Sequence, residues 1–441
     1  MEKLFQEFNA VDFEQWVEKI YQDLKGLPED LLAYSPESDL EVRSFYHRSN
    51  TPKGSFPNGK VSNQWKNRRK YPQTSNKEVL EDLNEGIDCL GLHFTTQQGF
   101  DDLTKGVQFE HIESDIYFTS PLEAAAFIGH SSCRLNMDIF ERGITSGKWL
   151  YETDDFVTFF NAHPENQTIW VSGAMYGDAG ATNSQELAFA ANHLNEYIQL
   201  LINNGISLEQ ISDKIVVELS VTDDYFANIA KFKVFRKMVG MIYSAYDDTY
   251  NANAITIYAR TTPRYLARND RNNNLLRQTT QAMSAVIGGC DVITVQPLLT
   301  GKVEEDQLYK RMAKNIPLIL KEESYLDKVT DPAEGAYYVE NLCEQMLNQA
   351  WDYFKKVEEH GGLCKAIEKG VIQELITENR NYILEHIHEG DKTFLGVNKF
   401  PSTLEDWQEV EKEPSVEKVT FEPLQTFKVE EYFKKEAYEQ S

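Results

Sequence analysis

Four cations, Lys66, Arg68, Arg69 and Lys70, fall within one short stretch of a chain whose net charge is −26. With Trp65 beside them they have the chemistry to hold an anionic ligand, through guanidinium forks and a point-charge ammonium. A solvated or subunit-facing patch is the plainer reading. A second constellation runs from Thr168 to Glu186, TIWVSGAMYGDAGATNSQE. Asp178 and Glu186 carry groups suited to acid–base work, although carboxylates near a helix start more often stabilise the helix dipole. The nine histidines make no metal-ligand pattern. His386 and His388 fall on what reads as the solvated face of a polar helix. No nucleophile triad is evident. The five cysteines, Cys89, Cys133, Cys290, Cys343 and Cys364, are odd in number, scattered and without a CxxC. Reduced thiols and a cytoplasmic setting are expected. Cys89 and Cys290 read as small core residues.

These residues need a frame. Thr168–Val171 is β-branched and aromatic and reads as a buried strand. Ser172-Gly173 and the glycines from Gly177 to Gly180 break it. Asn183 or Ser184 can cap a helix running to about Ile202, with Leu187, Ala190, Ala191, Leu194, Ile198 and Leu201 at helical spacing. From residue 76 strands and helices alternate. Candidate strands are Asp88–Phe94, Ile112–Phe118, Cys133–Ile139, Thr168–Val171, Lys214–Ser220, Ala254–Ala259 and Asp291–Val295, with a weaker eighth near Lys328–Thr330. Most are short continuous apolar runs, as parallel strands covered on both faces require. Helices are expected over Asn183–Ile202, Asp224–Tyr246 and Asp270–Ile287. Eight strands with crossover helices in roughly 260 residues match an α/β fold, the (β/α)8 TIM barrel. A doubly wound open sheet is the alternative from pattern alone.

Residues 1–75 read as an arm that wraps the barrel or a partner, because they carry too few apolar residues for their own core. One amphipathic helix fits Asp12–Leu24, with Phe13, Trp16, Val17, Ile20 and Leu24 on one face, ended by Gly26 and Pro28. The barrel and two terminal helices, Tyr337–Glu359 and Cys364–Glu389, take up 76–400. Residues 401–441, with Pro401, Pro414 and Pro423, read as an extended polar tail. Apolar residues at 41% and charged ones at 26% suit a soluble globular chain. The negative charge argues against nucleic acid or an anionic membrane surface as partner. No apolar run is long enough to span a bilayer, and the first residues lack signal-peptide character.

The stretch Ser172-Gly173-Ala174-Met175-Tyr176-Gly177-Asp178-Ala179-Gly180-Ala181-Thr182 resembles S-G-Y-H-M-x-E-A-G-A-T, a motif of the methylmalonyl-CoA mutases, which are adenosylcobalamin-dependent isomerases. Further segments agree in order and spacing. Asn273-Asn274-Leu275-Leu276-Arg277 resembles N-N-x-x-R, and Asp331–Glu340 resembles D-P-x-x-G-S-x-Y-V-E. Gly361-Gly362 with Lys365–Gly370 resembles G-G-x-x-K-A-I-E-K-G, and Leu395–Phe400 resembles I-G-V-N-K-Y. Phe13–Gly26 is similar to the start of the family's small subunits. The likeness covers nearly the whole chain. It implies a barrel built for radical rearrangement of an acyl-CoA, in which the protein orients the thioester and excludes water.

Positions that handle substrate in the family differ here. The Tyr-His pair after the fourth candidate strand stands as Ala174-Met175, and neither side chain can hydrogen-bond a carbonyl. Met175 reads as packing, and Tyr176 is shifted by one. Asn63–Lys70 resembles R-P-W-x-I-R-Q-Y: Asn63 replaces the first arginine and Lys70 the tyrosine, while Trp65 and Arg68 are kept and Tyr71 is one position off. Arg260-Thr261-Thr262-Pro263-Arg264 stands for R-T-H-S-Q, and Thr294-Val295-Gln296 for H-T-N. No D-x-H-x-x-G, the cobalt-ligating motif of the family's cobalamin-binding domain, occurs. The resemblance therefore implies the non-catalytic small subunit of a heterodimer. Its site is erased at Ala174, Met175, Lys70 and Thr294, with Trp65, Arg68 and Arg260 as remaining CoA contacts and no metal. No cofactor is expected on this chain alone. Adenosylcobalamin belongs to the complex with the large catalytic subunit. The rival reading is an active acyl-CoA mutase barrel that uses a cobalamin-binding domain from a separate chain. A repurposed barrel with unrelated chemistry is a further alternative.

Overall fold

Parallel neighbours need a crossover of a dozen or more residues, usually a helix, and the chain supplies one between each pair of consecutive strands from residue 66 on. The computed structural model describes residues 9, 11–26, 32–52, 54, 56–71, 75–94, 96–128, 132–247, 255–268, 270–297, 303–401 and 419–433. In chain order the elements are α1 (Phe13–Asp23), β1 (Tyr34–Glu37), β2 (Leu40–Val42), β3 (Lys66–Tyr71), α2 (Asn76–Asn84), β4 (Cys89–His93), α3 (Gln97–Leu103), β5 (Glu113–Tyr117), α4 (Pro121–Ala126), β6 (Cys133–Asn136), α5 (Ile139–Ser146), α6 (Thr153–Ala162), β7 (Ile169–Val171), α7 (Ala174–Ala179) and α8 (Asn183–Asn203). They continue as α9 (Leu208–Ser212), β8 (Ile215–Val221), α10 (Tyr225–Tyr246), β9 (Thr256–Thr261), α11 (Arg271–Gly288), β10 (Val292–Thr294), α12 (Val303–Leu318), α13 (Tyr337–Glu359), α14 (Leu363–Glu368) and α15 (Val371–Glu389).

Strands β3 to β10 form one parallel sheet in the order β6-β5-β4-β3-β10-β9-β8-β7. The two end strands meet where Leu135 N donates to Gln167 O at 2.8 Å. The result is a nearly closed TIM barrel with helices around it, as expected. Strand β8, Ile215–Val221, is buried at every position, as a strand covered on both sides must be. Helix α8 is buried along most of its length and packs on α10 and α13.

Four expectations change. The eighth strand is Lys66–Tyr71, between β10 and β4, and Lys328–Thr330 forms no strand. The first barrel strand therefore lies inside the segment read as an arm, and the arm ends before it. Its sequence, KNRRKY, carries no apolar run because Arg68 and Lys70 face a charged lumen. Helix α8 is capped by Thr182, which forms a capping box with Gln185, so Asn183 and Ser184 already belong to the helix. The last expected helix is two, α14 and α15, parted at Gly370, whose φ of 76° is left-handed. The tail is not simply extended and polar. Phe421, Leu424, Phe427 and Val429 are buried. Leu424 N donates to Ile144 O, Phe427 N to Asp178 O and Val429 N to Arg264 O, at 3.1, 2.7 and 3.1 Å. This strap crosses the rim from α5 past α7 to the loop after β9. The remaining tail segments, 402–418 and 434–441, lie outside the described residues, as does Pro28.

Helix α1 forms where its apolar spacing places it, capped by Asp12 with Gln15 at the third position. None of its residues is buried, and Trp16 stacks on Phe45 at 4.5 Å. The β1–β2 hairpin follows and docks on the start of α8. No helix among the described residues is long and apolar enough to cross a membrane.

Candidate site at the mouth of the barrel

Side chains alternate across a strand, so every second residue of the barrel strands enters the lumen. From β3 these are Arg68 and Lys70, from β5 Asp115 and Tyr117, from β8 Glu218, from β9 Tyr258 and Arg260, and from β10 Thr294. Arg68 has no side-chain exposure. Its guanidinium pairs with Asp115, donates to Tyr117 Oη and to Thr294 Oγ1 (3.2 Å), and stands 3.4 Å from Glu218. Three rings surround it: Tyr117, Trp170 and Tyr258, with centroids 5.6, 5.7 and 5.1 Å from Cζ. A desolvated guanidinium among π-faces is a favourable arrangement. Gly91 makes room for it, since a Cβ there would lie 3.0 Å from Arg68 Nη2. The bore is a packed core and not a channel, the ordinary condition of a TIM barrel.

Above this plug lies an ion-pair cluster at the C-terminal ends of the strands. Glu218 is 3.0 Å from Lys70 Nζ and 3.0 Å from Arg260 Nε. Arg260 also pairs with Asp178 of α7 at 2.7 Å, and Thr262 Oγ1 donates to that carboxylate at 2.8 Å. Burial pushes the Glu218 carboxyl up, but Lys70, Arg260 and Arg68 outweigh it and hold Glu218 well below the usual carboxylate range. Burial lowers the Lys70 ammonium, against the pull of Glu218. His93 stacks on Tyr117 at 4.4 Å and is pushed down to about 4 by burial and by Lys70, Arg68 and Arg142. The imidazole is therefore neutral at pH 7. Glu141 accepts from Ser172 Oγ at 2.7 Å, and burial and Asp138 push its carboxyl up. Asp138 in turn accepts from Tyr197 Oη (3.0 Å) and Ser172 N (2.9 Å) and faces His193 Nε2 at 2.9 Å. Lys70, Arg68 and Arg260 each have a carboxylate partner, so none of the three cations is free for an outside anion.

The structure brings together Lys70, Arg68, Arg260 and Thr294, and it sets the other expected site residues apart. Trp65 precedes β3 and sits at the opposite end of the bore, 2% exposed. Ala174 and Met175 start α7 and pack in the core. Tyr176 turns outward, its hydroxyl 3.4 Å from His193 of α8. Tyr71 also points out of the lumen, onto Asp82 of α2 at 2.7 Å. Arg69 pairs with Glu78 and Asp82, so only part of the basic stretch reaches the site. Glu186 is fully buried, 2.9 Å from Lys231, and its other oxygen accepts from Ser220 N at 2.6 Å. It is a structural ion pair, neither an acid–base group nor an exposed cap. His388 stacks on Phe433 of the strap at 4.8 Å, and His386 lies tilted against Tyr382 at 4.0 Å. All five thiols are free, and four of them are buried.

Sequence reasoning missed Glu218, Asp115, Tyr117 and Tyr258. Glu218 offered a signal: a lone carboxylate within the apolar run Ile215–Val221 must find a partner inside.

The donor set does not suit a cobalamin or a metal. Paired charged side chains take the position over the lumen, and the strap lies across part of the rim. Among the described residues no group of three or more His, Cys, Asp and Glu is placed to hold a metal ion.

A methylmalonyl-CoA mutase family profile matches residues 144–439. The chain is 30% identical to the methylmalonyl-CoA mutase small subunit of Porphyromonas gingivalis, over 92% of this chain and 72% of that protein. It is 27% identical to the small subunit of Streptomyces virginiae, over 93% of this chain and 73% of that protein. Against the large subunit of Porphyromonas gingivalis the identity is 25%, over 66% of this chain and 42% of that protein. With a profile match over more than half of the chain and a small-subunit likeness that runs nearly end to end, the chain belongs to the methylmalonyl-CoA mutase family.

Proposed function

We propose that the chain is the non-catalytic small subunit of a heterodimeric, adenosylcobalamin-dependent methylmalonyl-CoA mutase. Its barrel supports a large catalytic subunit, which holds the cofactor and interconverts methylmalonyl-CoA and succinyl-CoA. The observation that carries this reading is the ion-pair cluster that ties up the cations at the mouth of the bore. At the positions matching the family's substrate motif, Arg68 and Lys70 are consumed by Asp115 and Glu218. Among the described residues paired side chains fill the axis where a thioester would run, and Ala174 and Met175 offer it no side-chain hydrogen bond. The small-subunit likeness of two relatives adds support. The half-exposed apolar face of α1 suits an arm that reaches onto the partner. Free thiols throughout fit a cytoplasmic setting.

Co-expression with the large subunit encoded in the same genome, with a tag on this chain alone, tests the reading. The expected outcome is a one-to-one complex by light scattering whose mutase activity is unaffected by Met175→Ala or Lys70→Ala. A large subunit that is stable and fully active alone refutes it. The rival reading draws on Lys70, which keeps 27% side-chain exposure at the mouth. It requires this chain to bind an acyl-CoA and to turn over methylmalonyl-CoA with a separate cobalamin protein. Absence of CoA-ester binding in calorimetry removes it.

A further inference from the structure

The β1–β2 hairpin joins the N-terminal arm to the barrel, and it does so with two buried acids. Glu37 is 8% exposed, and its Oε2 accepts from Asn183 N at 2.8 Å. Asp39 Oδ2 accepts from Thr182 Oγ1 at 2.6 Å. Both contacts fall at the first turn of α8. Leu40 and Val42 bury the apolar side of the hairpin. Ser38 Oγ donates to Asn379 Oδ1 at 3.3 Å, and Gln345 of α13 holds the Glu41 backbone through two hydrogen bonds of 3.2 and 3.1 Å.

Asp39 Oδ1 is buried without a hydrogen-bond partner, and the charge of Asp39 acts on the buried Glu37. From α10 comes Lys231, which is committed to Glu186 at 2.9 Å. From the loop after β9 comes Arg264, whose Nη2 donates to the carbonyls of Gly177 and Ala181 and whose charge favours ionised Glu37 without outweighing burial. Tyr353 of α13 and Tyr382 of α15 face the pair, with Glu378 beyond Tyr353. Ser184 faces Asp39 from α8. Among the described residues neither acid has a cation within salt-bridge distance. Two carboxylates sharing one poorly solvated site cannot both ionise cheaply.

We infer that the hairpin Tyr34–Val42 is a proton-linked latch: a proton held by the Glu37–Asp39 pair keeps the N-terminal arm on the rim, and its loss releases the arm and uncovers the first turn of α8. Burial, then Asp39, push Glu37 up to about 8, and burial also raises Asp39. The docked state therefore binds the proton more tightly than the released one. Docking is strongest below the ordinary carboxylate range and weakens as pH rises through the docked-state value, by up to about tenfold per pH unit per proton. The latch is built from contacts within this one chain and does not depend on the proposed subunit role.

Hydrogen exchange of the full chain between pH 6.5 and 9.5, corrected for intrinsic chemical exchange, tests it by mass spectrometry. The expected result is a steep rise in the exchange of peptides covering 34–42 and 183–187 above about pH 8, approaching about tenfold per unit, while the β8 peptide stays protected. In the Glu37→Gln/Asp39→Asn variant, whose amide oxygens can still accept both hydrogen bonds, the rise is absent. Superimposable profiles for wild type and variant overturn the latch. If the variant does not fold, the wild type decides alone: a rise confined to the hairpin and the start of α8 supports the latch, and a flat or global response overturns it.

Discussion

Replacing Glu218 with Gln removes the anion that three cations share. Its carboxylate lies 3.0 Å from Lys70, 3.0 Å from Arg260 and 3.4 Å from Arg68. Arg68 retains Asp115 and Arg260 retains Asp178, but the side chains of these arginines are only 0% and 9% exposed. Water does not replace the lost charge there. Lys70 is 27% exposed, so solvent screens its share. Breaking a buried pair by removing one partner costs about 3–5 kcal/mol. The entropy of unfolding, about 2.1 cal/mol/K per residue, amounts to about 0.9 kcal/mol/K for 441 residues. Glu218→Gln should therefore lower the melting temperature by about 3–5 °C at pH 7. Tryptophan fluorescence is a suitable readout, because the Trp170 ring stands 5.7 Å from the Arg68 guanidinium. The pH dependence has a fixed sign. Glu218 is depressed in the folded chain, so its contribution is present above the ordinary glutamate value of about 4.3 and is lost as pH falls toward its folded value. The gap between wild type and variant should stay constant from pH 7 to 5 and close in acid. A melting temperature within 1 °C of wild type, or a gap that widens in acid, would refute the account.

Three further outcomes are expected. Gly177→Ala would place a Cβ 2.2 Å from both Glu186 Oε2 and Ser220 Oγ, forcing the fully buried Glu186–Lys231 pair apart, at about 3 kcal/mol or more by urea unfolding. Phe427→Ala should cost about 3–5 kcal/mol and speed proteolytic cleavage within 419–433, since that ring is fully buried beneath the strap; unchanged protection would mean the strap is not held by its apolar residues. Lys70→Ala in the assembled complex should leave kcat/KM for methylmalonyl-CoA within about twofold, and a loss of two orders of magnitude would place this barrel in the chemistry.

Much of the barrel was legible because its strands are buried on both faces and so spell continuous apolar runs. Thr168–Val171 and Lys214–Ser220 are found within two residues of their observed limits for that reason. The long helix α13 was equally plain, because Val339, Leu342, Cys343, Met346, Ala350, Phe354 and Val357 recur at helical spacing. Sequence failed where an element's burial depends on a charge elsewhere. Lys66–Tyr71 reads as polar arm until Asp115 and Glu218 stand across the lumen from it. The strap reads as loose tail because its four buried apolar residues are spread among Pro423, charges and polar groups.

What the sequence determined by itself was the local order: which segments extend, which coil, where caps and left-handed glycines stop them, and which family motifs had changed. A hydrogen-bonding tyrosine or histidine is absent at Ala174 and Met175 whatever the fold does. Only the tertiary structure decided what the remaining cations do. Closing the barrel brings β3, β5, β8 and β9 around one axis, so residues as far apart in the chain as Arg68 and Glu218 become neighbours. In the low-dielectric lumen each cation takes a carboxylate, because leaving either charge unpaired there is costly. The same residues that read as an anion-binding patch thereby become the filling of the bore.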